Sequence, residues 1–159
     1  MASRRTAWAL LAYRLPREPS TPRSALWRKL RRLGAAQLLD GLAALPLDAR
    51  TREQLEWLAD EVIEAGGEAT IWLGELASRT QERELAARMA DAVAADYRRV
   101  LADAESARKD SPGARRRTLG RLRRELRRIR ARDYFPPPER ALAQQAISEL
   151  ASLVEEPVA

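Results

Sequence analysis

The chain predicts an α+β protein in which helix predominates, with a small sheet built before residue 77 and helices alone from 77 to 159. Three observations carry this. Short apolar runs bounded by Gly and Pro give way, after Gly74, to a sustained apolar spacing of three and four residues. Thirty residues are Ala and only eight are Trp, Tyr or Phe, which suits thin helices packed closely. Cys and His are both absent, so no disulfide, iron–sulfur cluster or ordinary zinc or haem site organises the fold.

The elements follow in order. Ala7 to Tyr13 is a short apolar run closed by charge and Pro, as expected of a strand buried on both faces. Ser20-Thr21-Pro22 opens a helix with Leu26, Leu30 and Leu33 on one face and Gly34 at its end. Ala36 to Asp40 and Leu42 to Leu47 form two short strands about Gly41, or one bent strand, broken by Pro46. Thr51-Arg52-Glu53-Gln54 matches a capping box, opening a helix with a Leu55, Leu58, Ala59, Val62 stripe. Gly66-Gly67 ends it, and Glu68 to Leu73 is a further strand. The order βαββαβ is that of a ferredoxin-like, or split βαβ, domain over residues 1–76.

Residues 78–108 place Leu85, Met89, Val93, Tyr97, Val100 and Ala104 on one helical stripe. After the Ser111-Pro112-Gly113 turn, an Arg-rich helix over 114–132 carries Leu119, Leu122, Leu126 and Ile129. Tyr134-Phe135 and three prolines interrupt it. A last helix from about Glu139 to Val154 follows, with Leu142, Ala146, Ile147, Leu150 and Leu153 as its stripe. Residues 77–159 are thus a three-helix appendage. The aromatics read as structural, with Trp8 and Trp72 inside a buried sheet and Trp57 off its helix's stripe, toward the appendage. Trp27 reads as core, with a pocket wall beside the basic loop as the alternative.

Charge is distributed unevenly. The total is 29 basic residues against 23 acids, and only Lys29 and Lys109 among the basic residues are not Arg. Residues 1–34 hold nine basic residues and one acid, and residues 114–132 hold ten Arg and one acid, Glu125. Two strongly basic regions on an acidic remainder indicate an anionic partner, or internal pairing with the acidic helices. Without imidazole or thiol, general acid/base and nucleophilic catalysis near neutral pH lose their usual side chains. The chain is therefore expected to be non-enzymatic, with no cofactor and no metal. Ser3-Arg4-Arg5-Thr6 has the form of a twin-arginine export start, but Ala7 to Ala12 is too short for a signal core. Nothing approaches a membrane span, so a cytoplasmic protein without membrane contact is expected.

Two candidate sites stand out. The first is the Pro-spaced loop and helix start running from Tyr13 to Leu30. There Arg14, Arg17, Ser20, Thr21 and Arg28 can meet an oxyanion at a helix N-terminus. The second is the Arg-rich helix, where Arg115, Arg116, Arg117, Arg121, Arg123, Arg124, Arg127 and Arg128 surround the apolar stripe and can contact nucleic-acid phosphates.

The run Tyr13-Arg14-Leu15-Pro16-Arg17-Glu18-Pro19-Ser20, with Leu26-Trp27-Arg28-Lys29-Leu30-Arg31-Arg32-Leu33-Gly34-Ala35, resembles the N-terminal domain of ChrB chromate-resistance proteins. Leu39-Asp40, Leu45-Pro46, Arg50 to Leu58 and Gly66 to Ala69 extend that resemblance, and Ala131 to Phe135 matches more loosely. The resemblance implies a chromate-responsive transcriptional regulator of an efflux operon, with DNA and chromate as partners, and a further C-terminal domain in full-length members. The sequence departs from the family's pattern at Leu42-Ala43-Ala44, where an aromatic is usual. More distantly, the element order resembles the CRISPR-associated adaptation nucleases and the sheet domain of phenylacetate-pathway repressors. Those nucleases need an Asp at the end of the first strand, where this chain has Tyr13-Arg14. The expectation is a homodimeric regulator that acts on DNA through its helical appendage, with a non-catalytic protein-interaction module, a dimerising ferredoxin-like sheet whose helices hold another protein, as the alternative.

Overall fold

The structure, a computed structural model, describes residues 4–156; residues 1–3, Ser3 among them, and 157–159 lie outside it. It is α+β and helix-dominated. The elements are β1 (Trp8–Arg14), α1 (Thr21–Leu33), β2 (Ala36–Leu39), β3 (Leu42–Pro46), α2 (Ala49–Glu64), β4 (Glu68–Gly74), α3 (Arg79–Ala107), α4 (Pro112–Ala131) and α5 (Glu139–Glu155). By internal contacts the chain divides into two compact units, Met1–Ala86 and Ala87–Ala159.

In the first unit the described strands form one sheet in the order β2-β3-β1-β4, each neighbouring pair antiparallel. β1 and β2 therefore run parallel but are separated by β3, and β3 and β4 are separated by β1. Two helical connections return the chain to the sheet at these places, since parallel strands cannot be joined by a hairpin. Residues paired across strands share a face. Ala9, Leu11, Ala43 and Leu45, all fully buried, lie on the face that α1 and α2 cover with Leu26, Leu30, Leu55, Leu58 and Val62. The opposite face carries Trp8, Leu10, Ala44 and Trp72 and bounds a cavity of about 230 Å³ closed in part by Leu76 and Leu85.

Here two expectations are corrected. Trp8 is buried at 1% exposure, but Trp72 is 63% exposed, because β4 is an edge strand and its residue 72 points away from α1 and α2. Trp57 is also exposed. The capping box of α2 is not Thr51 to Gln54 but Asp48 to Thr51: Thr51 N–H donates to Asp48 Oδ1 at 2.7 Å, and Asp48 N–H donates to Thr51 Oγ1 at 2.9 Å. Thr51 is fully buried, and its hydroxyl also donates to the Pro46 carbonyl at 2.6 Å, fixing helix to strand. Gly34 ends α1 in the left-handed region, at φ 76°, as its position predicts.

The start of α3 belongs to the sheet unit for a visible reason. Thr6 N–H donates to Glu82 Oε1 at 2.9 Å, Arg5 reaches the Leu76 carbonyl, and Arg5 Nε lies 3.8 and 3.9 Å from Glu75 and Glu82. Hydrogen bonding from Thr6, followed by the Arg5 and Arg79 cations, holds the Glu82 carboxyl below its ordinary value.

In the second unit Val93, Tyr97, Val100, Ala104, Leu119, Leu122, Ile129, Ala143, Ile147 and Leu150 make one core. The α3 and α4 stripes fall where their spacing predicts. The α5 stripe is displaced: Leu142 is 52% exposed, and Ala143 and Ala151 are buried with Ala146, Ile147 and Leu150. Small alanines let α5 approach its neighbours closely, so the buried face is the alanine-rich one rather than the leucine-rich one.

Candidate functional site

The first unit contains an open groove of about 850 Å³ between one side of α1 and the end of the sheet. Ser20, Arg23, Ser24, Trp27 and Arg28 line it from the helix side; Tyr13, Arg14, Leu15, Gln37, Asp40 and Gly41 line it from the other. Its sheet wall is set by close backbone contacts. Tyr13 N–H donates to the Gly41 carbonyl at 2.8 Å, and a Cβ at residue 41 would stand 2.4 Å from the Tyr13 carbonyl oxygen, so only Gly fits. Gln37 Nε2 donates to the Tyr13 hydroxyl at 2.9 Å and to the Leu39 carbonyl at 2.6 Å.

Of the five residues expected at an oxyanion site, Arg14, Ser20 and Arg28 share this groove, whereas Arg17 and Thr21 are exposed and not part of its lining. Arg14 donates to Glu68 at 2.7 Å across the β1–β4 pair, with both side chains solvated. Ser20 occupies the N-cap position of α1 without a side-chain cap, leaving that helix's first N–H groups without this partner. Sequence reasoning did not place Arg23 and Ser24 here, and favoured the core for Trp27. The readable signal was a spacing of four: Arg23, Trp27 and Arg31 lie one above another, as do Ser20, Ser24 and Arg28. Trp27 is 52% exposed, and the Arg31 guanidinium stands 4.8 Å from its ring centroid.

α4 sorts its arginines by side. Arg121 pairs with Asp103 of α3 at 3.2 Å, and Arg128 lies 3.8 Å from Glu125. Arg115 Nε donates to the Asp110 carbonyl at 2.9 Å, tying it to the helix start. Beyond the helix Arg132 pairs with Asp96 at 3.0 Å. Arg116, Arg117, Arg123, Arg124 and Arg127 are exposed and, among the described residues, have no carboxylate partner. At about 100° per residue these five fall within an arc of about 120°, and they extend over about 16 Å of axis. Leu119, Leu122 and Ile129 are buried on another face, so packing fixes the direction of the basic arc. The Arg117 and Arg124 guanidinium groups fold over Gly113 and Gly120, each 3.6 Å from where a Cβ would stand.

The link from α4 to α5 is pinned at Asp133, whose side chain is fully buried. It accepts from the Tyr97 hydroxyl at 2.7 Å, and Arg140 lies 3.8 Å away. Burial first, and the Asp133 carboxylate second, push the Tyr97 hydroxyl well above its ordinary value.

Comparison with known proteins identifies a family for more than half of the chain. A family model described as the N-terminal part of protein ChrB matches residues 23–110. The chain belongs to the ChrB N-terminal family. Protein ChrB of Cupriavidus metallidurans is 36% identical over 83 residues, covering 52% of this chain and 26% of that protein. The match thus spans about a quarter of the relative's length. No solved structure matches. The ChrB model takes in Arg23, Trp27 and Arg28 of the groove, while Arg14, Ser20 and the α4 arginines lie outside the matched stretch. Among the described residues no helix is long and apolar enough to cross a membrane.

Proposed function

We propose that the chain is a non-enzymatic, cytoplasmic regulatory component of a chromate-resistance system that binds DNA through α4. Membership of the ChrB family supports the link to chromate resistance. The observation that supports DNA binding is the arc of Arg116, Arg117, Arg123, Arg124 and Arg127, which presents five exposed cations without a carboxylate partner among the described residues. Guanidinium groups on a packed, directed helix can neutralise phosphates on one side of a duplex, giving affinity and register rather than base discrimination. Five neutralised phosphates correspond to a log K against log salt slope of about −4.5 on duplex DNA. Replacing Arg116, Arg117 and Arg123 with Gln is expected to make that slope shallower by about 2.7. An unchanged slope assigns α4 to another task. The oxyanion expectation narrows to Arg14, Ser20 and Arg28, the members that share the groove.

A second reading, a dimerising sheet module, is favoured by one observation: the sheet face bearing Leu10, Leu38 and Trp72 borders an apolar cavity and leaves Trp72 63% exposed. Sedimentation equilibrium on Trp72→Ser tests it. A wild-type dimer that becomes monomeric in the variant supports this reading, and a wild-type monomer removes it.

A further inference from the structure

We propose that the groove between α1 and the β2–β3 turn binds single-stranded nucleic acid, stacking an unpaired base on Trp27 and holding the adjoining phosphates with Arg23, Arg28 and Arg14. The inference concerns the sheet unit and is independent of the α4 arc.

Four observations converge on it. Trp27 lies on α1 between the buried Leu26 and Leu30, yet it is itself 52% exposed and lines the groove. Arg31 covers one side of the indole at 4.8 Å, which restrains the ring as a platform while the remaining surface faces open space. α1 holds Arg23, Arg28, Lys29, Arg31 and Arg32 and no acid. Of these cations Lys29 has a carboxylate partner, Glu61 at 2.6 Å, and the four arginines have none among the described residues. The groove also offers groups suited to a base edge, the Ser24 hydroxyl and the Asp40 carboxylate; Asp40 and the Glu68 partner of Arg14 offset two of the three arginine charges.

A basic groove with an aromatic platform is the general arrangement for holding single strands, because every base has a π-face and every linkage a phosphate. The shape selects a strand over a free nucleotide. A small-ligand pocket encloses about 70–90% of its guest. This groove is walled by exposed side chains, Arg14, Arg23, Trp27 and Arg28 among them, and its length lies open to solvent. A chain passing along it can engage Arg23 and Arg28, about 7.5 Å apart along the axis of α1, while a single base turns in toward Trp27. Duplex DNA keeps its bases stacked and cannot use the platform.

The test is fluorescence anisotropy of the full chain with a labelled twelve-nucleotide thymidine strand, an abasic strand of the same length and a duplex. Trp27→Leu is expected to weaken thymidine-strand binding about tenfold, the loss of one stacked base, with the salt slope unchanged. Trp27→Phe should recover most of that loss. The abasic strand should bind wild type and Trp27→Leu alike, and the duplex should not distinguish them. Replacing Arg23 and Arg28 with Gln should instead make the single-strand slope shallower by about 1.4. Circular dichroism confirms that each variant is folded, as expected for exposed positions. Equal thymidine-strand affinity of wild type and Trp27→Leu overturns the proposal, even where duplex binding through α4 stands. Competition by thymidine monophosphate as strong as by the strand assigns the groove to free nucleotides. Competition by millimolar chromate or sulfate that is the same in both proteins assigns it to small oxyanions. Either of these last results overturns the strand assignment.

Discussion

α1 and α4 begin from the same raw material and end as different surfaces. Both open near a Pro, both carry Leu residues at helical spacing, both are rich in Arg, and neither has an acid in its first turn. On α4 the neighbouring helix supplies Asp103, so one flank is neutralised and the other left as a band of five cations with no carboxylate partner among the described residues. On α1 the charge is interleaved with an exposed indole and faces a groove rather than a flat surface. Net charge therefore says little about what a basic helix does. The positions of the nearby carboxylates, and the presence of an aromatic among the arginines, separate a phosphate rail from a platform for bases.

The largest effects should come from the anchors that aim each surface. Leu122 and Leu30 are 0% and 2% exposed, and truncating either to Ala is expected to destabilise its unit by about 2–5 kcal/mol in urea unfolding. A loss below about 1 kcal/mol for Leu122→Ala would mean that ion pairs rather than packing hold α4, and the contrast drawn above would fail.

Next comes the pin behind α4. Tyr97→Phe removes the hydroxyl that reaches the buried Asp133 and should cost about 1–3 kcal/mol. The same variant changes the alkaline response. The folded state holds the Tyr97 proton above the ordinary value of 10.0, so the unfolded chain releases it first and stability falls as pH rises past that value. Wild type should lose stability above about pH 10 more steeply than Tyr97→Phe, measured as Tm against pH; parallel curves would contradict the burial of this hydroxyl.

A smaller contrast concerns the two helix starts. Ser111 accepts from the Ala114 N–H at 3.4 Å, while Ser20 makes no side-chain cap. Ser111→Ala should therefore cost about 0.5–1 kcal/mol, and Ser20→Ala close to nothing, by thermal melting. A cost at Ser20 equal to that at Ser111 would show that α1 is capped in solution and has no N–H groups to spare.

The smallest change in stability is expected at the arginines themselves. Arg121→Gln and Arg124→Gln should each alter stability by no more than about 0.5 kcal/mol, since exposed ion pairs contribute little. They should differ in duplex binding. Arg124→Gln is expected to make the salt slope shallower by about 0.9, and Arg121→Gln by less, because Asp103 already neutralises that side chain. Equal changes would erase the distinction between the two flanks of α4.

The sequence made the class and the element order readable because both rest on local signals: Pro22 and Gly34 bracket α1, Gly66-Gly67 closes α2, and the apolar stripes of α3 and α4 are unbroken. What local signals could not decide was which of two adjacent apolar positions the tertiary structure would bury. Trp27 follows Leu26 directly, and only the packing of α1 onto the sheet assigns Leu26 to the core and Trp27 to the groove. The same ambiguity moved the α5 stripe from Leu142 to Ala143, and left Trp72 on an edge strand rather than within the sheet. The α2 cap was misplaced because two overlapping runs both offered capping residues. The buried hydrogen bond from Thr51 to Pro46 selects the earlier one. The groove spans residues 13–41, so its assembly depends on strand pairing that no helical periodicity reports.

Gly41 gives that groove its gauge. Its carbonyl is bonded to Tyr13 N–H, and its α-carbon sits so near the Tyr13 carbonyl that no larger residue can occupy the place without levering the hairpin away from β1. The seat of the hairpin within the groove's sheet wall is therefore set by a spacer one hydrogen atom thick. An alanine there would act as a shim, shifting Asp40 and Gln37 relative to α1 while leaving every arginine and Trp27 unchanged in identity. The shape of the sheet wall and the chemistry of the groove can in this way be varied separately, and position 41 is the adjustment screw for the first.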